Sequence, residues 1–302
     1  MRLPTFLLLG APKCGTTALA QYLGAHPDVF LSRPKEPHFF DSDYAKGLGS
    51  YLDDHFAGWQ AERVAGEATP SYLAIPWVPV RVRRDVPDAR LIAILRDPVE
   101  RAYSSWWMFH VRGMEPLSFE AALHENLKRL ESGMRLEGDA GAAAWREHIE
   151  AIRRGDRLRI RTYLDSGYYA RQLRRWFEHF PREQLRIVFS DDLKENRDAV
   201  VRALWRFLGV AQDAALPEWG PVNEALGPGA RGVLRVARAT HLMRLRSLLP
   251  GTVTSAVKRK LATFGGQPPL APDVRERLLG HFEPHVHDLE QLLGVDLHAW
   301  RR

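Results

Sequence analysis

Residues 6–17 read FLLLGAPKCGTT, an apolar run followed by a loop that has a glycine at each end. The apolar run predicts a buried strand, and TTALAQYLGAH (16–26) has helical periodicity, so the loop joins a strand to a helix. Gly15 lets backbone N–H groups approach an anion, and a helix beginning at Thr16 points its positive end at the same place. This junction predicts an α/β sheet with an anion site at the end of its first strand.

The loop differs from the phosphate-binding loop of nucleoside triphosphatases at one position. Gly10 and Gly15 have the separation of G-x-x-x-x-G-K-[ST], but Thr16 stands where that motif has its lysine. The only cation within the loop is Lys13. Thr16 and Thr17 can donate hydroxyls to phosphate oxygens or simply cap the helix, and a strand-to-helix turn can also require glycine for structural reasons alone.

Further strands and helices alternate along the chain, which predicts a P-loop-like parallel sheet flanked by helices. The predicted strands cover 5–10, 28–32, 63–67, 90–96 and 185–190, and the predicted helices cover 16–26, 99–111, 118–130 and 170–180. We expect one domain over 1–302, with the Gly- and Pro-rich region 220–272 forming a loop-rich lid or flank.

Composition narrows the function only coarsely. A formal net charge of +6 suits an anionic ligand, although a merely basic surface explains it equally well. The arginines are scattered, so nucleic acid is not an expected partner. One cysteine, Cys14, permits no internal disulfide, and the apolar run 6–9 is too short to span a bilayer. We therefore expect a cytoplasmic protein without a transmembrane segment, and its oligomeric state is open.

Two more stretches carry chemistry. In LRDPVERAYSS (95–105), Arg96 ends a strand and Ser104 follows on the next helix, so the two can converge on a second phosphate. Alternatively, Arg96 forms an ion pair with Asp97 or Glu100. In SRPKEPHFFD (32–41), Glu36 lies between two prolines and beside Lys35 and His38, which suggests a fixed general base, although surface loops also carry such Lys-Glu pairs.

Together these stretches resemble the PAPS-dependent sulfotransferases, in particular the bacterial members allied to the heparan sulfate sulfotransferases. The resemblance is carried by PKCGTTAL (12–19), LRDPVERAYS (95–104) and KEPHFFD (35–41). Weaker similarities extend it over most of the chain, at 66–73, 167–193, 206–210 and 281–300.

The resemblance implies a role for each motif. The loop would grip the 5′-phosphate of PAPS, and Lys13 would reach the oxygen that bridges phosphate and sulfate. The 3′-phosphate, retained in the product PAP, would be recognised by Arg96 and Ser104. Glu36 would deprotonate the acceptor hydroxyl, with His38 as the next candidate base, and no metal would be needed. The residues expected at the 5′-phosphate are Pro12, Lys13, Cys14, Gly15, Thr16 and Thr17.

The sequence departs from the relatives at two places. Where the heparan sulfate enzymes usually have a lysine after the glutamate of GEATPSYL (66–73), this chain has Ala68, which argues against a glycosaminoglycan acceptor. No clear late nucleotide-binding loop is present, although Lys258, Arg259 and Lys260 are candidates. The acceptor is predicted to be a hydroxyl of a carbohydrate, a lipid or a small natural product.

Two other classes of function remain open. A P-loop kinase or nucleoside triphosphatase would need the lysine that is missing after Gly15 and an acidic magnesium ligand. A non-catalytic nucleotide- or polyanion-binding protein would keep the loop but would have no use for Glu36. Trp106 and Trp107 are expected to be core residues. Cys14 is expected to be a small loop residue rather than a nucleophile.

Overall fold

The computed structural model describes residues 2–133, 136–216 and 267–302. At its centre is a parallel sheet of five strands in the order β2-β3-β1-β4-β5. Each predicted strand is confirmed to within one residue at either end. The strands are β1 (Phe6–Gly10), β2 (Val29–Leu31), β3 (Val64–Ala68), β4 (Arg90–Leu95) and β5 (Leu185–Phe189).

The central strand is buried on both faces, as expected of a parallel sheet covered by helices. Every residue of β1 is buried, and its neighbours β3 and β4 pair with it in register from Phe6, which lies opposite Gly66 and Arg90. Because all strands run in the same direction, the segments that follow β1, β2, β3 and β4 emerge at one edge of the sheet. The candidate residues of three separate motifs are thereby brought to that edge.

Helices flank the sheet, and the four predicted helices are all present with slightly different ends. The helices are α1 (Thr16–Leu23), α2 (Gly47–Phe56), α3 (Val78–Asp85), α4 (Pro98–Val111), α5 (Phe119–Glu131), α6 (Gly138–Arg154), α7 (Tyr169–Phe177), α8 (Ser190–Glu195), α9 (Arg197–Leu208) and α10 (Pro272–Leu293). A short π-helical turn, Phe39–Asp43, follows the proline-rich stretch.

Local chemistry explains where the site helices begin. Asp97 caps α4, because its Oδ1 accepts a hydrogen bond of 2.8 Å from the backbone N–H of Val99, and Pro98 occupies the first helical position. At the start of α1 the cap residue is Gly15, which supplies no side-chain bond. The N-terminal N–H groups of α1 therefore lack a side-chain cap from this position, unlike those of α4.

The core contains Trp106 and Trp107, which are both buried, so their prediction as core residues is confirmed. Of the region predicted to be a lid or flank, 220–266 lies outside the described residues, as do Lys258, Arg259 and Lys260. Residues 267–271 are irregular, and α10 starts at Pro272. Within the described part of the chain, every helix is too short or too polar to cross a membrane.

Candidate active site

The loop after β1 is shaped by two glycines in backbone conformations that other residues rarely adopt. Gly10 has φ 143°, and a Cβ there would lie 2.3 Å from the carbonyl oxygen of Pro70. Gly15 has φ 104° as the residue preceding α1. The close approach of Pro70 to Gly10 leaves no room for a side chain at that position. The glycines are therefore needed for the turn as well as for access to an anion.

Lys13 projects from this loop with φ 72°, and its Nζ lies 3.5 Å from the sulfur of Met108 on α4. Burial, together with the positive charges of Arg112 and Arg96, lowers the pKa of Lys13 from 10.5 to about 8, while the charge of Glu36 opposes the shift. The ammonium therefore lies among other cations and with little solvent. Such a position favours a bound anion, which would offset the positive charge.

Arg96 follows β4 and faces the same loop. Its Nη1 donates to the carbonyl oxygen of Lys13 at 3.5 Å, and its Nη2 lies 3.4 Å from Oε2 of Glu100. The ion pair with Glu100 that the sequence left open is thus present. Ser104 lies one turn beyond Glu100 on α4, so it shares the helix face that contacts Arg96. Arg96 and the face of α4 that includes Ser104 therefore lie at the same edge of the sheet as the loop after β1.

Glu36 lies in the irregular segment after β2, in a left-handed conformation with φ 66°. Its Oε1 lies 2.6 Å from Nζ of Lys35 and its Oε2 lies 3.9 Å from Nε2 of His38. The side chain is 41% exposed, so the carboxylate is reachable by a substrate. The predicted Lys-Glu pair exists, but the charge of Glu36 also acts on Lys13, which places the carboxylate near the loop.

His38 is held by a residue that the sequence did not single out. Its Nδ1 lies 3.0 Å from Oδ2 of Asp41, whose fully buried side chain also accepts hydrogen bonds from Ser71 at 2.6 Å and Trp145 at 3.1 Å. Burial lowers the pKa of His38, but the charge and hydrogen bond of Asp41 outweigh it, with Glu36 adding, so the pKa lies above its ordinary value. His38 thus favours the protonated form, whose positive charge attracts the Glu36 carboxylate.

The pKa of Asp41 lies below its ordinary value, whereas that of His38 lies above it. Burial raises the pKa of this carboxyl, but His38, Ser71 and Trp145 together hold it below its ordinary value. The only sequence clue to Asp41 was its place in HFFD, three residues after His38 on the first turn of a helical segment. Its partners come from residues 71 and 145, which no local pattern connects to it.

A second carboxyl missed by the sequence lies beneath this cluster. Glu67, at the end of β3, is fully buried and accepts hydrogen bonds from Tyr51 at 2.7 Å, Tyr72 at 3.0 Å and Thr69 at 2.5 Å. Burial raises its pKa to about 7, although the three hydroxyl donors oppose the shift. The hydroxyl of Tyr72 in turn accepts from the backbone N–H of Phe40 at 3.1 Å, so this network supports the segment that carries His38 and Asp41.

Cys14 packs inside the loop, as predicted. It is 1% exposed, its sulfur lies 3.6 Å from the hydroxyl of Tyr169, and burial raises the pKa of its thiol. A buried thiol of this kind is a poor nucleophile, because the thiolate is the reactive form. The hydroxyl of Tyr169 also donates to the carbonyl oxygen of Arg96 at 2.9 Å, so α7 ties the loop to the end of β4.

Metal ligands do not cluster in the part of the chain that the structure describes: no group of three His, Cys, Asp or Glu residues is arranged to hold an ion. The candidate site consists instead of the uncapped start of α1, two cations, and the pair of Glu36 and His38.

Comparison with known proteins identifies the family. A family model described as "Sulfotransferase domain" matches residues 3–219. Heparan sulfate glucosamine 3-O-sulfotransferase 3A1 of Mus musculus is 30% identical over 211 residues, covering 69% of this chain and 46% of that protein. Bifunctional heparan sulfate N-deacetylase/N-sulfotransferase 3 of Homo sapiens is 29% identical, covering 100% of this chain and 31% of that protein. The chain therefore spans less than half the length of these relatives.

A solved structure agrees with the fold. The crystal structure of a sulfotransferase from Alicyclobacillus acidocaldarius aligns with a TM-score of 0.67 and 28% identity, covering 100% of both chains. The observed parallel sheet flanked by helices is thus the fold of that enzyme, and the P-loop-like fold predicted from the sequence is confirmed.

Proposed function

Because the chain belongs to the sulfotransferase domain family, we propose that it transfers a sulfuryl group from PAPS to an acceptor hydroxyl by in-line displacement. The observation that carries the proposal is the charge arrangement at the sheet edge. Lys13 and Arg96 lie together at an uncapped helix start, and the basic candidate Glu36 lies within electrostatic reach of Lys13. Binding groups for an anionic donor and a candidate proton acceptor thus lie near one another at one edge of the sheet.

The loop and α4 would hold the nucleotide. Backbone N–H groups of residues 13–17, at the start of α1, bind the 5′-phosphate, while Arg96 and the hydroxyl of Ser104 bind the 3′-phosphate. Lys13 lies against the bridging oxygen, where negative charge develops as that bond breaks. A transferring sulfuryl group carries less negative charge than a phosphoryl group, so one lysine suffices and a metal is not required.

Glu36 acts at the acceptor. It accepts the proton of the hydroxyl while the hydroxyl oxygen forms its bond to sulfur, and the electron pair of the broken bond goes to the 5′-phosphate oxygen beside Lys13. The products are a sulfate ester and PAP. We assign His38 to attracting the Glu36 carboxylate electrostatically, since its Nε2 lies 3.9 Å from Oε2, while Asp41 fixes the ring from the other side. His38 is the alternative base if Glu36 proves dispensable.

The acceptor is a hydroxyl compound of the carbohydrate, lipid or small natural product class. The named substrates of the two curated relatives are heparan sulfate, which makes a carbohydrate the first class to test. Ala68 is buried at the position where the resemblance to the heparan sulfate enzymes leads us to expect a lysine, so a glycosaminoglycan is the less favoured carbohydrate. A cytoplasmic location, the absence of a nucleic-acid partner and a single-domain organisation remain predictions.

Nucleotide selectivity tests the proposal. Native protein should bind PAP more tightly than AMP or ATP in calorimetry. Arg96→Ala should lower the ratio of PAP to AMP affinity roughly 10- to 100-fold, because a hydrogen bond to a charged group usually contributes that much. Arg90→Ala is the control, because Arg90 lies at the opposite end of the same strand. Equal affinity of the native protein for PAP and AMP would refute the assignment.

Two assays separate the rival functions. Sulfuryl transfer from labelled PAPS to a panel of acceptors should proceed in EDTA, whereas a kinase or nucleoside triphosphatase would hydrolyse ATP and require magnesium. A non-catalytic binder would retain PAP binding but would sulfate none of the acceptors in the panel.

A further inference from the structure

The carboxylate of Glu100 lies between two arginines, one nearby in the sequence and one on the C-terminal helix. Its Oε2 is 3.4 Å from Nη2 of Arg96, and its Oε1 is 2.7 Å from Nη1 of Arg275. Arg275 lies on the first turn of α10, 175 residues after Glu100. The shorter of the two contacts is therefore the one made by the C-terminal helix.

We propose that Arg275 is a positioning residue for the nucleotide: it engages Oε1 of Glu100, limits the pairing of Glu100 with Arg96 to the single 3.4 Å contact through Oε2, and so keeps the Arg96 guanidinium available to the 3′-phosphate. The inference rests on the proposed function, since it assumes that Arg96 binds that phosphate. The inference adds a residue of α10 to the determinants of nucleotide selectivity. This residue is distant in sequence from all three motifs.

The competition follows from the geometry of the three side chains. A carboxylate can accept two parallel bonds from one guanidinium, so Glu100 without Arg275 would be free to pair fully with Arg96. A phosphate would then have to displace the carboxylate and would also meet its negative charge. With Arg275 in place, one carboxylate oxygen is engaged and the charge of Glu100 is balanced by a second cation.

Arg275 is itself anchored, which lets it act in this way. Its Nη2 donates to the carbonyl oxygen of Arg302 at 2.9 Å and lies 3.9 Å from Oδ2 of Asp97, the residue that caps α4. The Arg275 side chain is 33% exposed and that of Glu100 is 40% exposed. The interaction is therefore partly screened by water, and its effect on affinity should be moderate rather than decisive.

The test is a double-mutant cycle with calorimetry of PAP and AMP. Arg275→Gln should weaken PAP binding about 2- to 5-fold, the range of a partly exposed ion pair, and leave AMP affinity essentially unchanged. Glu100→Gln should tighten PAP binding, and adding Arg275→Gln to it should change nothing further. The matched control is Arg277→Gln on the same helix, because Arg277 pairs with Glu120 at 2.8 Å instead.

Each departure from this pattern has one meaning. If Arg275→Gln weakens PAP equally in the Glu100→Gln background, Arg275 contacts the ligand directly and the positioning role is wrong. If it weakens AMP as much as PAP, it acts through general structure, and the inference also fails. If Arg275→Gln does not fold, Glu100→Gln alone decides, since unchanged PAP affinity would overturn the idea. A native protein without preference for PAP over AMP would refute the proposed function instead.

Discussion

Lys13 provides a test of the nucleotide site that needs no acceptor. In the free protein, burial and the nearby Arg112 and Arg96 charges lower the pKa of Lys13 to about 8. A bound 5′-phosphate would counter both influences, so PAP should raise that pKa toward the ordinary value. Binding in the range between the two values must then take up a proton. The perturbations are a rise in pH from 7.5 to 9.5 and the variant Lys13→Met.

The expected change in PAP affinity follows from the titration of the Lys13 ammonium alone. One unit above a pKa of about 8, only about a tenth of the free protein carries the ammonium, so PAP affinity should fall roughly tenfold per unit between pH 8 and pH 10. The shift from 10.5 to about 8 sets the ceiling, on the order of 3 kcal/mol. The second pKa of a phosphate monoester is about 6, so the ligand is almost fully deprotonated above about pH 8 and itself contributes little in this range.

The same linkage acts on folding, with a definite sign. Because the pKa of Lys13 is lower in the folded protein than in the unfolded chain, the unfolded chain binds more protons between about pH 8 and 10.5. This lysine therefore opposes folding at neutral pH, and its penalty is relieved as the pH rises through that window. PAP should remove most of that dependence, because it stabilises the ammonium.

Calorimetry in two buffers of different ionisation enthalpy measures the proton uptake directly. At pH 9 we expect close to one proton per PAP bound for native protein and close to none for Lys13→Met. Lys46→Met is the control, because Lys46 is 60% exposed and pairs with Asp43. Affinity that is constant from pH 7.5 to 9.5, or a slope that survives in Lys13→Met, would show that Lys13 does not contact the phosphosulfate end.

Three further predictions address other parts of the site. Glu36→Gln should lower turnover roughly 10²- to 10⁴-fold on the productive acceptor and leave PAP affinity within about twofold; turnover within a few-fold of native would mean that the base lies elsewhere. Glu67 has a folded pKa of about 7, so it takes up protons on folding between about pH 4.5 and 7, and its contribution to stability declines as the pH rises through that window. Denaturation at pH 5 and pH 8 should show a smaller difference for Glu67→Gln than for native protein, and an unchanged difference would contradict the assigned pKa. Gly10→Ala should destabilise by roughly 2–4 kcal/mol, since its Cβ would lie 2.3 Å from the Pro70 oxygen, whereas Gly49→Ala in an open position on α2 should be neutral or stabilising; similar melting temperatures for both would refute the packing argument.

Sequence patterns predicted the sheet because its signals are local. Short aliphatic runs separated by helical periodicity identify buried parallel strands, and all five were located to within one residue. The glycine loop could also be predicted from the sequence, since the turn into α1 imposes backbone angles that glycine readily adopts. Once the strand ends were known, the common edge of the sheet predicted that Lys13, Glu36 and Arg96 would lie near one another.

The tertiary structure alone decided which groups support those residues. Asp41 is fixed by Trp145, 104 residues away, and Glu100 is engaged by Arg275, 175 residues away. Glu67 acquires its raised pKa only because the folded core buries it, and this burial outweighs the opposing hydrogen bonds of Tyr51 and Tyr72. Hydrogen bonding and desolvation depend on distances in space, and one sequence records only neighbours along the chain. The loop and strands could therefore be predicted from the sequence, whereas Asp41 and Arg275, which engage the neighbours of Glu36 and Arg96, emerged only with the fold.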